Sequence, residues 1–167
     1  MNLKDKVDNC LKEGQRGERH KGLRKVEINE EKIQEHIAKA IHNFNAINIF
    51  SKAGYSDWSA SASFYSLYHL LLALIAKKGF ESRNQNCTFA MIEQMIENKE
   101  IGLKKEELKE IFDKDVKENF EHSSKILDIR ETMQYSTKTF LEKKEFEFLK
   151  ERTKLLFDEL RNEIEAI

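Results

Sequence analysis

The stretch Ser56-Asp-Trp58-Ser-Ala-Ser-Ala62-Ser-Phe64-Tyr65-Ser-Leu67-Tyr68-His69-Leu70-Leu-Leu-Ala-Leu74-Ile75-Ala-Lys-Lys-Gly79 decides the fold. Trp58, Phe64, Tyr65, Leu67, Tyr68, Leu70 to Leu72, Leu74 and Ile75 fall on almost every side of one helix. A helix that is apolar all round is either the central member of a bundle or buried in an oligomer. Gly54 ends the preceding helix, Ser56 is placed to cap this one, and Gly79 stops it. Its longest unbroken apolar run, Leu70 to Ala76, is seven residues. A bilayer span needs about 20, so no membrane segment is expected.

Working outward, Asn29 is a candidate N-cap, with Glu30 and Glu31 in a first turn whose dipole favours acids. Ile33, Ile37, Ala40, Ile41, Phe44, Ile47 and Phe50 then recur at helical steps. On the far side the pattern predicts helices over about 87–98, 104–116 and 118–136. A last helix is expected to open with the capping box Thr139-x-x-Glu142 and to run through Phe146, Leu149, Leu156, Leu160 and Ile164. The 167 residues include no proline and only 6 glycines, too few turn-formers for an all-β or βαβ fold. With 40% hydrophobic and 35% charged residues the chain has material for one core and is not disordered. An all-α, up-and-down antiparallel bundle follows.

Residues 1–26 differ in character. Leu3, Val7, Cys10 and Leu11 make a weakly amphipathic helix, followed by the glycine-spaced basic run Gly14-Gln-Arg-Gly17-Glu-Arg-His-Lys-Gly22-Leu-Arg-Lys25. Eight Lys/Arg stand against four acids here. The expected division is a basic arm and linker over 1–26, which can be deleted without unfolding the remainder, and a bundle over 27–167. Gly14-x-x-Gly17 has the spacing of the KH clamp loop, but the strands such a fold needs are missing. Overall, 29 basic residues balance 30 acidic ones for a net charge of -1, which argues against a surface devoted to duplex DNA.

Cys10 and Cys87 are too few for a disulfide framework, and the opening MNLKDKVDNC has no apolar core of a secretory signal. A cytoplasmic chain with reduced thiols is expected. Cys87 sits near a predicted helix start, where the dipole favours a thiolate, but a buried or incidental thiol is the plainer reading. No phosphate loop, Rossmann fingerprint, zinc-type cysteine pair or HExxH is present. His20, His36, His42, His69 and His122 show no metal-ligand spacing, and acids such as those in Lys104-Lys-Glu-Glu-Leu-Lys-Glu110 read as a solvated helix face. Neither metal nor cofactor is expected.

The remaining features form a set. The Phe64-Tyr65-Ser-Leu-Tyr68-His69 helix leads through the polar turn Ser82-Arg83-Asn84-Gln-Asn86 into another helix. Further on comes Ile126-Leu-Asp-Ile-Arg130-Glu-Thr-Met-Gln-Tyr135. In this order the set resembles HEPN-domain proteins over about residues 30–165. The first motif is similar to that family's "YYAmfh" helix. Arg130-x4-Tyr135 is similar to the "R-x4-D-Y" ending of a prokaryotic branch, itself related to the R-x4-6-H ribonuclease motif. Gln134 replaces the usual Asp, Tyr135 stands where a nuclease would have His, and Ala62 replaces a frequent Arg. Asn84 or Asn86 stands where a His often follows the glycine-ended helix.

The resemblance implies a homodimer with the motif at a shared cleft. It also implies a binding or interaction module for nucleotide or RNA, or for a small nucleotidyltransferase in a toxin–antitoxin-like or defence pair. The alternative is a metal-independent endoribonuclease toxin. Arg130 would then neutralise the phosphate, but a phenol is a poor base near neutrality where imidazole is well matched. Arg130 and Tyr135 are thus the candidate catalytic residues; Arg130, Arg83 and Asn84 are the candidate binding residues. On helix geometry Ile126, Ile129 and Met133 share a face, Arg130 lies at its edge and Tyr135 points away. The plainer reading of Arg130 is a salt bridge to a neighbouring acid. Tyr65, Tyr68 and His69 read as core aromatics and a hydrogen-bonded histidine.

Overall fold

The computed structural model describes residues 1–112 and 126–167, and the expectations placed on 113–125, His122 among them, lie outside the described residues. In chain order come α1 (Leu3–Gly14), β1 (Leu23–Lys25), α2 (Glu30–Lys52), α3 (Ser56–Lys77), β2 (Phe80–Ser82), α4 (Gln85–Glu97), α5 (Lys105–Ile111), α6 (Ile126–Tyr135) and α7 (Lys143–Glu165). Among the described residues the architecture is an all-α bundle with one two-stranded antiparallel sheet. The sheet is absent from the sequence reading because three-residue strands leave no measurable alternation.

α3 is the central helix. It packs most extensively along α2, to which it is joined by a turn with Gly54 at φ +86°, and then against α7 and α6. By length and composition alone it could cross a membrane, yet 78% of its apolar window is buried inside the bundle, as in the core helix of a soluble protein. Serines along it allow close helix approach without leaving polar groups unpaired. Ser59 donates to the Ile47 carbonyl at 2.7 Å, and Ser63 meets the Thr153 hydroxyl at 2.5 Å. Ser66 donates back to the Ser63 carbonyl at 2.7 Å.

Two caps differ from the sequence reading for one shared reason. Ser56 does not cap α3, whose N-cap is Tyr55; its hydroxyl instead accepts the Leu141 N–H at 2.7 Å. That bond draws Leu141 into the core and holds residues 139–141 out of helix. α7 therefore starts at Lys143, with the Glu145 carboxylate accepting the Glu142 N–H at 3.3 Å, and Thr139 is not its cap.

The glycine-spaced stretch expected to be a linker is folded against the bundle. β1 pairs with β2 in the register Leu23↔Ser82, Arg24↔Glu81, Lys25↔Phe80. Leu23 is wholly buried, as is Val7 of α1. His20 is buried with its Nε2 3.0 Å from Glu81 Oε1. The Arg24 guanidinium donates to the Gly14 carbonyl at 3.0 Å and to the Gly17 carbonyl. Gly14 is needed for close approach, because a Cβ there would stand 1.7 Å from the Leu23 carbonyl oxygen. The expectation of reduced cysteines is also overturned. α1 folds back across α4, bringing the Cys10 and Cys87 Cα atoms to 5.7 Å, and the two are disulfide-bonded. A separation of 77 residues hid this from the sequence.

Deleting residues 1–26 is therefore expected to lower the melting temperature, and Gly14→Ala alone should lower it by roughly 3–10 °C, as an overpacked contact costing about 1–3 kcal/mol implies. Thermal melts followed by circular dichroism test both. A Gly14→Ala melting curve that overlays the wild type would show that α1 and β1 are not in tight contact.

Candidate anion site around Arg130

α6 presents Ile126, Leu127, Ile129 and Met133 to the core, which leaves Arg130 at the edge of its buried face and Tyr135 out in solvent, 80% exposed. The Arg130 guanidinium carbon lies 3.6 Å from the centroid of the Phe64 ring. Phe64 belongs to α3 and is fully buried, with Tyr65 edge-on at 5.1 Å and Tyr68 stacked at 5.8 Å between ring centroids. Phe89 of α4 closes the cluster from behind, 6.4 Å from Phe64 and stacked on Phe112 at 4.2 Å. A half-buried cation is thus seated on an aromatic face of the core, a contact worth about 0.5–2 kcal/mol.

No described carboxylate reaches ion-pair distance of Arg130, so the salt-bridge reading does not hold among the described residues. Burial lowers its pKa from the ordinary arginine value, while the Tyr65 and Tyr135 phenols and the Glu131 carboxylate pull the other way. An arginine stays protonated under such a shift. The result is a positive charge, partly stripped of water, within electrostatic reach of the Tyr65 and Tyr135 phenols.

The other sequence candidates separate. Asn84 caps α4, its side chain accepting the Cys87 N–H at 3.1 Å. Arg83 lies 3.8 Å from Glu81 and donates to the Glu18 carbonyl. Neither shares a hydrogen bond or ion pair with Arg130; both serve the junction between β2, α4 and the N-terminal segment. Of the three expected core residues only Tyr68 is buried, with its hydroxyl 3.1 Å from the Thr88 hydroxyl and its pKa raised by burial. Tyr65 is 41% exposed and flanks Arg130. His69 has a histidine for its partner: its Nδ1 lies 3.2 Å from that of His36 on α2.

Two groups were missed. Phe64 appeared in the sequence only as a motif aromatic, and nothing in the spacing shows that a residue 66 positions later lies across its ring. His36 carried no signal beyond its helical position.

A scan against family models matches the HEPN domain over residues 33–163. The chain belongs to the HEPN-domain family. HEPN domains are generally nucleotide- or RNA-related modules that often dimerise. Among curated proteins no relative matches the sequence. The family match begins after β1, so α1, β1 and the disulfide half-cystine Cys10 are additions outside the matched span.

The histidine pair makes stability pH-dependent. Burial first, then the neighbouring His36 and Lys39, pulls His69 down from 6.5 to about 4, and burial with Lys32 lowers His36 against the pull of Glu35. Both are neutral in the fold, while the unfolded chain takes up protons on each near pH 6.5. The contribution is complete above about pH 6.5 and is lost as the pH falls toward 4. The melting temperature should fall from pH 7 to 5, and His36→Gln with His69→Gln should flatten that slope. An unchanged slope in the double variant would show that the pair does not couple to folding.

Proposed function

We propose that this HEPN protein binds a phosphate-bearing ligand, an RNA strand or a nucleotide, at Arg130, with Tyr65 and Tyr135 as flanking contacts. The reading rests on one observation: Arg130 is a half-buried guanidinium held on Phe64 without an acidic partner among the described residues. A planar guanidinium donates a rigid fork of hydrogen bonds that matches phosphate oxygens, and partial desolvation strengthens such bonds. An exposed tyrosine beside it offers a stacking face to a base, which contributes about 1–3 kcal/mol per base.

Binding is favoured over catalysis. A metal-independent ribonuclease needs a base for the 2′-hydroxyl, and the residue at that motif position is Tyr135. The protein then acts as a recognition module, with a small nucleotidyltransferase as the protein partner in a toxin–antitoxin-like or defence pair in a prokaryotic cytoplasm. A homodimer that brings two Arg130–Tyr135 segments to one cleft would cover Trp58, Tyr65 and Tyr135, which a single protomer leaves 56%, 41% and 80% exposed. The alternative, an endoribonuclease toxin using Arg130 at that cleft, is favoured by the same guanidinium, which has no acidic partner among the described residues.

Fluorescence anisotropy with single-stranded RNA separates these outcomes. Arg130→Ala should weaken binding by roughly 10–100-fold, as loss of a charge-assisted hydrogen bond implies. Arg130→Lys should restore only part of it, because the fork and the stacking are lost. Equal affinities for wild type and Arg130→Ala would end this reading. Incubation of RNA in EDTA should leave it intact; robust cleavage abolished by Arg130→Ala would install the ribonuclease in its place. Sedimentation at micromolar concentration should give a dimer, and a monomer would remove the shared cleft.

A further inference from the structure

The Cys10–Cys87 disulfide joins two unlike helix positions. Cys87 is the third residue of α4, and its N–H is bound by the Asn84 cap, so its sulfur lies at the positive end of a thirteen-residue helix. Cys10 lies in the C-terminal half of α1, before its last turn, and receives no such help from the dipole. Exposure divides the same way: Cys87 is 6% exposed, whereas Cys10 is only partly covered. Thiol–disulfide exchange is fastest when the attacked sulfur is accessible and the departing one is the better thiolate. Accessibility selects attack at Cys10, and the α4 N-terminus favours Cys87 as the departing thiolate against the cost of its burial.

What the bond holds is also unequal. α1 is twelve residues, about the length at which an isolated helix is marginal in water. Its fully buried apolar anchor is Val7, with Leu3, Cys10 and Leu11 partly covered. β1 is fastened independently by its pairing to β2, by buried Leu23 and by the His20–Glu81 contact. Removing the cross-link thus weakens α1 far more than β1.

We propose that Cys10–Cys87 is an exchangeable redox latch for α1, opened by a dithiol reductant that attacks Cys10. The reductant's thiolate bonds to the Cys10 Sγ, the protein S–S bond breaks, and Cys87 leaves as a thiolate that is stabilised by α4 and then takes a proton. The reductant's second thiolate displaces Cys10 as a thiol. Two electrons pass to the protein, the dithiol becomes a disulfide, and α1 is free to detach as far as Gly14 while β1 stays paired. Detachment uncovers the groove in which Leu3 and Lys6 of α1 face Phe89, Ala90, Leu108 and Phe112.

Two measurements on the full oxidised chain test this. In the first, brief exposure to glutathione is followed by acid quench, denaturation, alkylation of free thiols and peptide mass spectrometry. Glutathione should be found on Cys10 at least about tenfold more often than on Cys87. Equal or reversed labelling overturns the direction of attack. In the second, hydrogen exchange is compared before and after dithiothreitol, and in Cys10→Ser. Exchange in residues 3–13 should rise by on the order of 100-fold, well beyond the smaller rise that a looser unfolded state brings to β1, α3 and α7. Unchanged protection in α1 would show that the bond latches nothing. Loss of protection throughout, in the reduced chain and in Cys10→Ser alike, would make it a general structural brace and end the proposal.

Discussion

Fifteen of the twenty-two residues of α3 are buried, and the rest of the molecule is arranged to keep them so. Covering one helix on nearly every side needs several neighbours, since each partner helix shields only a stripe. α2 supplies the longest, because a short turn sends it back along α3. α7 and α6 pack on it from the C-terminal part of the chain, α4 meets it at Phe64 and Tyr68 through Thr88 and Phe89, and β2 also packs against it. The serines on α3 belong to the same constraint. Small side chains let the backbones approach, and their hydroxyls find carbonyl or hydroxyl partners, so the burial leaves no orphaned serine hydroxyl at Ser59, Ser63 or Ser66.

Arg130 depends on that packing at one remove. A guanidinium half withdrawn from water needs compensation, and among the described residues the compensation is a π face rather than a carboxylate. The difference matters for chemistry. A carboxylate partner would neutralise the charge and occupy its hydrogen-bonding edge, whereas a ring beneath the guanidinium plane leaves that edge available. Phe64 performs this service because Tyr68 and Phe89 fix its orientation from within the core. The motif aromatics of α3 and the arginine of α6 are therefore one physical unit, although the sequence writes them 66 positions apart.

That separation marks what could be read in advance. The long helices were legible because burial of one stripe imposes a period, as at Ile33, Ile37, Ala40 and Ile47. The direction of Tyr135 was legible for the same reason. What escaped was every feature made by contact between distant segments. Cys10 meets Cys87, Leu23 pairs opposite Ser82, Ser56 captures Leu141 and His36 faces His69, and none of these leaves a periodic trace. The glycines at 14 and 22 misled in a particular way. In sequence they look like freedom, but in the fold they are points where two backbones pass too closely for a side chain.

The cross-link gives the covalent chain an unusual outline. Residues 10 to 87 form a closed ring that carries β1, α2, α3 and β2, while α5, α6 and α7 belong to an open tail attached to it. Even a fully denatured oxidised chain keeps the two halves of the central hairpin tethered within one loop, so part of the entropy cost of bringing them together is removed beforehand. The tail enjoys no such help and must find α3 by ordinary diffusion. The exposed turn at Ala53–Tyr55 lies inside the ring, so a protease that nicks it opens the circle without releasing either piece. Cleavage there would leave a single molecule of two chains, with a second pair of ends, held together by one disulfide.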